Sequence, residues 1–201
     1  MKLKITKTYL RILAIIIAVI ALGVIIFYYL LPIAMPTKLT SWDYQGTPMN
    51  FRADLRDADK VIVLPNDAWV RDSFTSQYLR NITIVFKNDS SDLGLVAIQA
   101  AELSYKLSTI YMKNGIGIVS QSEAEEGIPD NAIVLSAAPI QDYRNLQGTF
   151  TGVLIVLIPP SETNVTSIRA SNNAVFISGK NDYEFDMATV KLLMVIMGIN
   201  V

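Results

Sequence analysis

The chain has 201 residues, a net charge of −1, no Cys and no His. Without Cys there is no disulfide, thiolate nucleophile or thiolate metal site. Without His the commonest general base and metal ligand are missing too, so any catalysis would rest on carboxylates, Lys, Tyr or Ser.

Four of the 17 basic residues, Lys2, Lys4, Lys7 and Arg11, precede residue 12, leaving 13 against 18 acidic residues and a net of −5 for the remainder. That balance argues against nucleic acid and anionic lipid head groups as partners. Residues 12 to 37 (ILAIIIAVIALGVIIFYYLLPIAMPT) then carry no charge at all. About 20 apolar residues cross a hydrocarbon core of about 30 Å, so the stretch predicts a transmembrane helix. Ile12, Ile16, Ile20 and Val24 belong to its apolar length, and Phe27, Tyr28 and Tyr29 suit the outer interface. The basic cluster keeps the N-terminus in the cytoplasm and puts everything after Pro36 outside the cytosol. A cleaved signal peptide fits less well, because its apolar region is roughly 7 to 15 residues and ends in small residues, where this chain has aromatics. Ala14, Ala18, Ala21 and Gly23 offer small faces for packing against another span.

Residues 38 to 56 show no sustained period and contain a Gly-Thr-Pro turn signal, which reads as a stalk or edge element whose Trp42 and Tyr44 either pack on the domain or lie at the lipid surface, the second favoured by their closeness to the anchor. From residue 57 the pattern changes. Continuously apolar runs at 61–64, 82–86, 116–119, 132–135, 153–158 and 174–178 predict strands covered on both faces. Leu93, Val96, Ala100, Leu103, Leu107 and Ile110 predict a helix over 92–112, capped by Ser90 or Ser91 and stopped by Asn114-Gly115. A second helix is predicted over 183–197, capped by Asn181 or Asp182, with Phe185, Ala188, Leu192 and Ile196 inward and Gly198 at its end. Shorter helices are expected near 68–79, 121–126 and 139–146. The alternation predicts an α/β domain over 57–201, a three-layer sandwich on a mostly parallel sheet.

The motifs for chemistry are incomplete. Gly115 and Gly117 lack the third glycine of a dinucleotide fingerprint, and Gly179-Lys180 lacks both the first glycine and the hydroxyl of a P-loop. The loop 87–92 (KNDSSD) stands where a flavodoxin holds a phosphate, but Asp89 and Asp92 would repel one. No cofactor and no metal are expected. Glu123, Glu125 and Glu126 cluster in a loop, and Asp182, Glu184 and Asp186 suit a helix start. Asp67 and Asp72 flank Trp69, a sugar-binding combination whose plainer reading is an apolar anchor among surface charges. Ser136, Ser178 and Lys180 end predicted strands at the edge where α/β proteins collect ligands, so they are the weak ligand candidates. Of three glycosylation sequons, Asn88 and Asn164 lie in loops and Asn81 abuts a buried strand.

The run ITIVFKNDSSDLGLVAIQAAELSYKLS, the segment NAIVLSA at 131–137, and GVLIVLIPPSETN followed by NAVFISGKNDYEFDMATVKLL resemble the flavodoxin-like domains of BcsB-type subunits, the extracytoplasmic partners of bacterial cellulose synthase. The likeness covers roughly 120 of the 201 residues. It implies a flavodoxin-like fold that binds no flavin and scaffolds a processive membrane glycosyltransferase, with no catalytic residue to carry over. Family members usually add β-sandwich carbohydrate-binding domains, a second flavodoxin-like domain and a C-terminal anchor; here one domain follows an N-terminal span.

The sequence therefore predicts a cytoplasmic tip and anchor over 1–37, a linker over 38–56 and an extracytoplasmic α/β domain over 57–201, held by a single pass in the plasma membrane. The expected role is a non-catalytic accessory subunit of a polysaccharide synthase or exporter. Its partners would be that integral membrane protein and the lipid bilayer, with the polysaccharide as a further contact. The alternatives are an extracytoplasmic ligand-binding or sensor module and, behind it, a carboxylate-based glycan hydrolase.

Overall fold

The computed structural model describes residues 39–125 and 127–200. The predicted transmembrane helix, its basic flank and the anchor residues Ile12 to Tyr29 lie outside them. Among the described residues no helix is long and apolar enough to cross a membrane.

Residues 40 to 51 are not a stalk. Thr40–Tyr44 (β1) and Thr47–Phe51 (β2) form an antiparallel hairpin. Its turn places Gln45 and Gly46 at φ 50° and 77°, the doubly positive geometry that matches strand twist in two-residue hairpins. Met49 and Phe51 join the main core, and Tyr44 accepts a hydrogen bond from Asn114 Nδ2 at 3.0 Å. Tyr44 thus packs on the domain.

The chain continues through Leu55–Ala58 (α1), Ile62–Leu64 (β3), Asp67–Thr75 (α2), Asn81–Lys87 (β4), Leu93–Lys113 (α3), Gly117–Val119 (β5) and Gln121–Ala124 (α4). It ends with Ala132–Ile140 (β6), Gly152–Ile158 (β7), Ser167–Ser171 (β8), Ala174–Ser178 (β9) and Asp182–Met197 (α5). All six predicted strands form. The seven-stranded sheet runs β3-β8-β9-β7-β4-β6-β5. Five strands are parallel; β8 is antiparallel to β9, and β3 runs with β8. The domain is α/β on a mostly parallel sheet. A flavodoxin places the strand after the first crossover beside the first strand. Here β5 is the edge strand and β6 stands between it and β4.

Side chains alternate across each strand. Ile82, Ile84, Ile133, Val153, Ile155, Leu157, Val175 and Ile177 face the main core with α1, α2, α3 and α5. Val85, Val134 and Val156, buried but outside that core, face the other way. That second face is thinly covered by α4 and by irregular chain, Tyr143 standing over Lys87 and Val165 beside Phe176.

Four expectations are corrected. Helix α3 begins with Asp92 as its N-cap, Ser90 Oγ accepts from the Asp92 N–H at 3.2 Å, and Leu93 is 40% exposed instead of inward. No helix forms over 139–146: β6 runs on to Ile140, and Asn145 at φ 61° sits in a left-handed conformation that stops helical turns. The β8 strand (SIRAS) was not expected, since Ile168 is its one large apolar residue. Helix α5 is buried nearly all round, because it lies among α1, α2, α3 and the sheet. Its Lys191 pairs with Asp59 at 2.8 Å and Asp67 at 3.2 Å, pinning α1 and α2 to it. Burial works against that ammonium, yet the two carboxylate hydrogen bonds prevail and raise its pKa. The predicted caps of α5 hold: Asn181 Oδ1 accepts from the Glu184 N–H at 2.9 Å, and Gly198 ends the helix at φ 73°.

Candidate functional site

Ligands of open α/β sheets bind beyond the carboxyl ends of adjacent strands whose connections lead in opposite directions. In this sheet those strands are β4, followed by β5 on one side, and β7, followed by β8 and β9 on the other. That crevice is filled by the chain itself. The turn Pro160–Glu162 lies over the start of α3, where the Ser161 N–H donates to Asp92 Oδ2 at 2.8 Å and the Ser90 and Ser161 hydroxyls meet at 3.5 Å. Lys87 Nζ lies 3.1 Å from Glu162 and 5.6 Å above the Tyr143 ring. The Glu162 hydrogen bond raises the lysine pKa. Carboxylates occupy the place of a bound anion at the positive end of the α3 dipole.

Ser136, Ser178 and Lys180 do not form one site. Ser136 is in mid-strand, because β6 extends beyond it, and its hydroxyl meets that of Thr83 at 3.2 Å. Ser178 does end β9; it is buried against Ser167 at 3.2 Å, and the pair borders an open cleft of about 460 Å³ with Ile158, Val165 and Phe176. Two strands lie between β9 and β6, so three strand spacings place the serines about 14 Å apart. Lys180 Nζ is paired with Glu184 at 3.0 Å. Among the sequons, Asn88 and Asn164 are exposed, whereas Asn81 is half-buried with its side chain against Gly152.

A buried charged cluster joins the hairpin to α3 and α5. Arg52 Nε lies 3.4 Å from Asp186, Gln99 Nε2 donates to the same carboxylate, and Lys106 pairs with Glu102 while standing 4.3 Å from the Phe51 ring centroid. Burial lifts the Asp186 carboxyl above its ordinary 3.8, with Arg52 and Gln99 pulling the other way, and burial lowers Lys106. None of these residues lines the clefts described next, so the cluster fastens the hairpin instead of meeting a ligand. A carboxyl with a raised folded pKa gives stability that is complete below pH 3.8 and is lost as pH rises through the raised value. Thermal melts of wild type and Asp186→Asn check this: the wild-type Tm should fall relative to the variant above pH 3.8, and parallel profiles would contradict it.

Two clefts lie at the opposite edge, below the amino ends of β4, β6 and β7. One, of about 570 Å³, is bounded by Tyr44, Gln77, Arg80, Asn114, Asp130 and Asn131. Another, of about 370 Å³, is bounded by Trp69, Asp72, Ser73, Phe150 and Asn173. They share Ser76 and Leu79 as a common wall. On that wall segment Tyr78 stacks against Phe150, ring centroids 4.9 Å apart. Trp69, Tyr78 and Phe150 are 41%, 50% and 74% exposed. Trp69 is therefore not the anchor of its helix; Val70 and Phe74 are. Sequence reasoning singled out Trp69 with Asp72 but missed Tyr78 and Phe150, which are 72 residues apart in the chain.

Comparison with protein-family models, curated proteins and solved structures returns no match.

Proposed function

We propose that the chain is a non-catalytic, membrane-anchored accessory subunit that stands beside an integral membrane glycosyltransferase or exporter. Its flavodoxin-like domain of the BcsB type would lie on the outer face of the plasma membrane. The observation that carries this reading is the charge-free stretch 12 to 37 behind Lys2, Lys4, Lys7 and Arg11, which calls for a bilayer and sets the orientation. The BcsB likeness rests on the motifs between 81 and 193 and not on strand order, which exchanges β5 and β6 relative to a flavodoxin.

The geometry of the domain supports a role without chemistry. Its switch-point crevice is closed by Asp92, Ser161 and Glu162. Glycoside hydrolysis needs two carboxyls about 5 to 9.5 Å apart across one cleft. The two clefts below the amino strand ends hold one carboxylate each, Asp130 and Asp72, while Asp59, Asp67, Glu102 and Glu162 are tied to lysines.

The test is affinity purification of the full chain from its own membranes in mild detergent. A polytopic glycosyltransferase or exporter should co-purify, and should be lost when residues 12 to 37 are replaced by an unrelated apolar span of equal length. Recovery of the chain without any polytopic partner would overturn the reading.

A further inference from the structure

We propose that the paired clefts below the amino ends of β4, β6 and β7 form a binding track for a neutral polysaccharide chain. The inference rests on the proposed function only for the source of the polymer; the recognition itself is argued from the clefts.

Aromatic faces punctuate the track. Trp69 and Phe150 flank one cleft, Tyr78 stacks on Phe150 from the segment between the shared Ser76 and Leu79, and the half-buried Tyr44 flanks the other cleft. Exposed aromatic rings left in water are costly unless something covers them, and a pyranose offers an apolar C–H face to do so. Between these rings the cleft walls mix apolar side chains such as Leu79, Ile110 and Ile133 with amides and carboxylates, which suits a ligand that alternates apolar faces with hydroxyls.

The hydrogen-bonding groups between the rings both accept and donate. Asn114 Nδ2 donates to the Ile110 carbonyl at 2.8 Å, Asn173 Nδ2 donates to the Thr149 carbonyl at 2.8 Å, and Asn131 Nδ2 donates to the Gly115 carbonyl. No described residue donates to their Oδ1 atoms, Asn114 spends its second N–H on the Tyr44 hydroxyl, and Asn131 and Asn173 each keep a second N–H to give. The carboxylates Asp72 and Asp130 add further acceptors. Acceptors beside spare N–H groups call for a ligand whose own groups do both, and each sugar hydroxyl donates and accepts.

Charge narrows the class. Among the described residues lining the two clefts Arg80 alone is cationic, and its guanidinium already donates to the carbonyls of Gln77 at 3.4 Å and Leu79 at 3.2 Å. Asp72 and Asp130 would repel a uronic or phosphorylated polymer. The track is therefore built for uncharged hexose units.

The chain has two tryptophans, Trp42 and Trp69, so Trp42→Phe leaves Trp69 as the sole indole reporter. The full chain carrying Trp42→Phe, in a detergent without a sugar head group, is titrated with cellohexaose, maltohexaose, mannohexaose and hexagalacturonate. At least one neutral hexamer should give a saturable blue shift of Trp69 emission, with hexagalacturonate at least tenfold weaker. Phe150→Ala and Tyr78→Ala should each weaken that binding tenfold or more, while Tyr105→Ala, an exposed aromatic on α3, should leave it unchanged. Unchanged melting temperatures show that the variants are folded. No saturable shift with any neutral hexamer, tighter binding of hexagalacturonate, or full binding by folded Phe150→Ala and Tyr78→Ala would each overturn the proposal. Co-purification of a glycosyltransferase without sugar binding sinks the track alone; sugar binding without such a partner sinks the accessory-subunit reading alone.

Discussion

Gly179→Ala is expected to prevent the domain from folding. Gly179 links the end of β9 to the cap of α5, and a Cβ there would stand closer than 3.0 Å to the backbone N and Cα of Phe185 and to the carbonyl carbon of Glu184. Those atoms belong to the first turn of a helix fixed by the Asn181 cap and by burial on nearly every side, so no flexible side chain can give way. The glycine that resembled the end of a phosphate loop serves close strand-to-helix packing instead. The loss should exceed about 4 kcal/mol, the range in which point changes remove a marginal native state. Circular dichroism and urea titration of the purified variant check it; a cooperative transition within 1 kcal/mol of wild type, roughly the median effect of a substitution, would refute the packing.

Phe185→Ala is expected to cost about 4 kcal/mol. The ring is fully buried in the main core on α5, and a helix held on all sides by other elements cannot collapse into the space it leaves. Tyr105→Ala on the outer face of α3, where the side chain is 69% exposed, should change stability by less than about 1 kcal/mol. Urea unfolding of the two variants side by side measures the contrast, and equal losses would mean that α5 is not the centre of the core.

Core elements were legible because their residues repeat with a period. The run VLIVLI in β7 is apolar at every position and ITIVF in β4 at all but Thr83, as suits central strands that bury side chains on both faces. The antiparallel pair β8–β9 was half visible: AVFIS reads as a strand, while SIRAS hides behind Arg169 and Ser171, which face out. Its turn did leave a signal, since Asn172 and Asn173 both have positive φ, and Asn tolerates that conformation. The stripe on α5 was drawn too narrow, because a helix packed on all sides also buries Asp186, Thr189 and Lys191. The clefts left almost no trace. Their walls come from α2, the 76–80 turn, the 149–150 turn, the end of α3 and the 130–131 segment, and only folding brings these together.

The central claim is a matter of sidedness: a span over residues 12 to 37 holds the domain outside the cytosol. Because the chain has no Cys, single cysteines give a clean readout. Tyr105→Cys and Lys4→Cys are expressed separately in cells whose outer envelope has been opened, then treated with a membrane-impermeant maleimide. The account predicts that Tyr105→Cys reacts while the plasma membrane is still sealed and that Lys4→Cys reacts only after lysis. Labelling of Lys4→Cys with Tyr105→Cys protected, or protection of both until lysis, would contradict it.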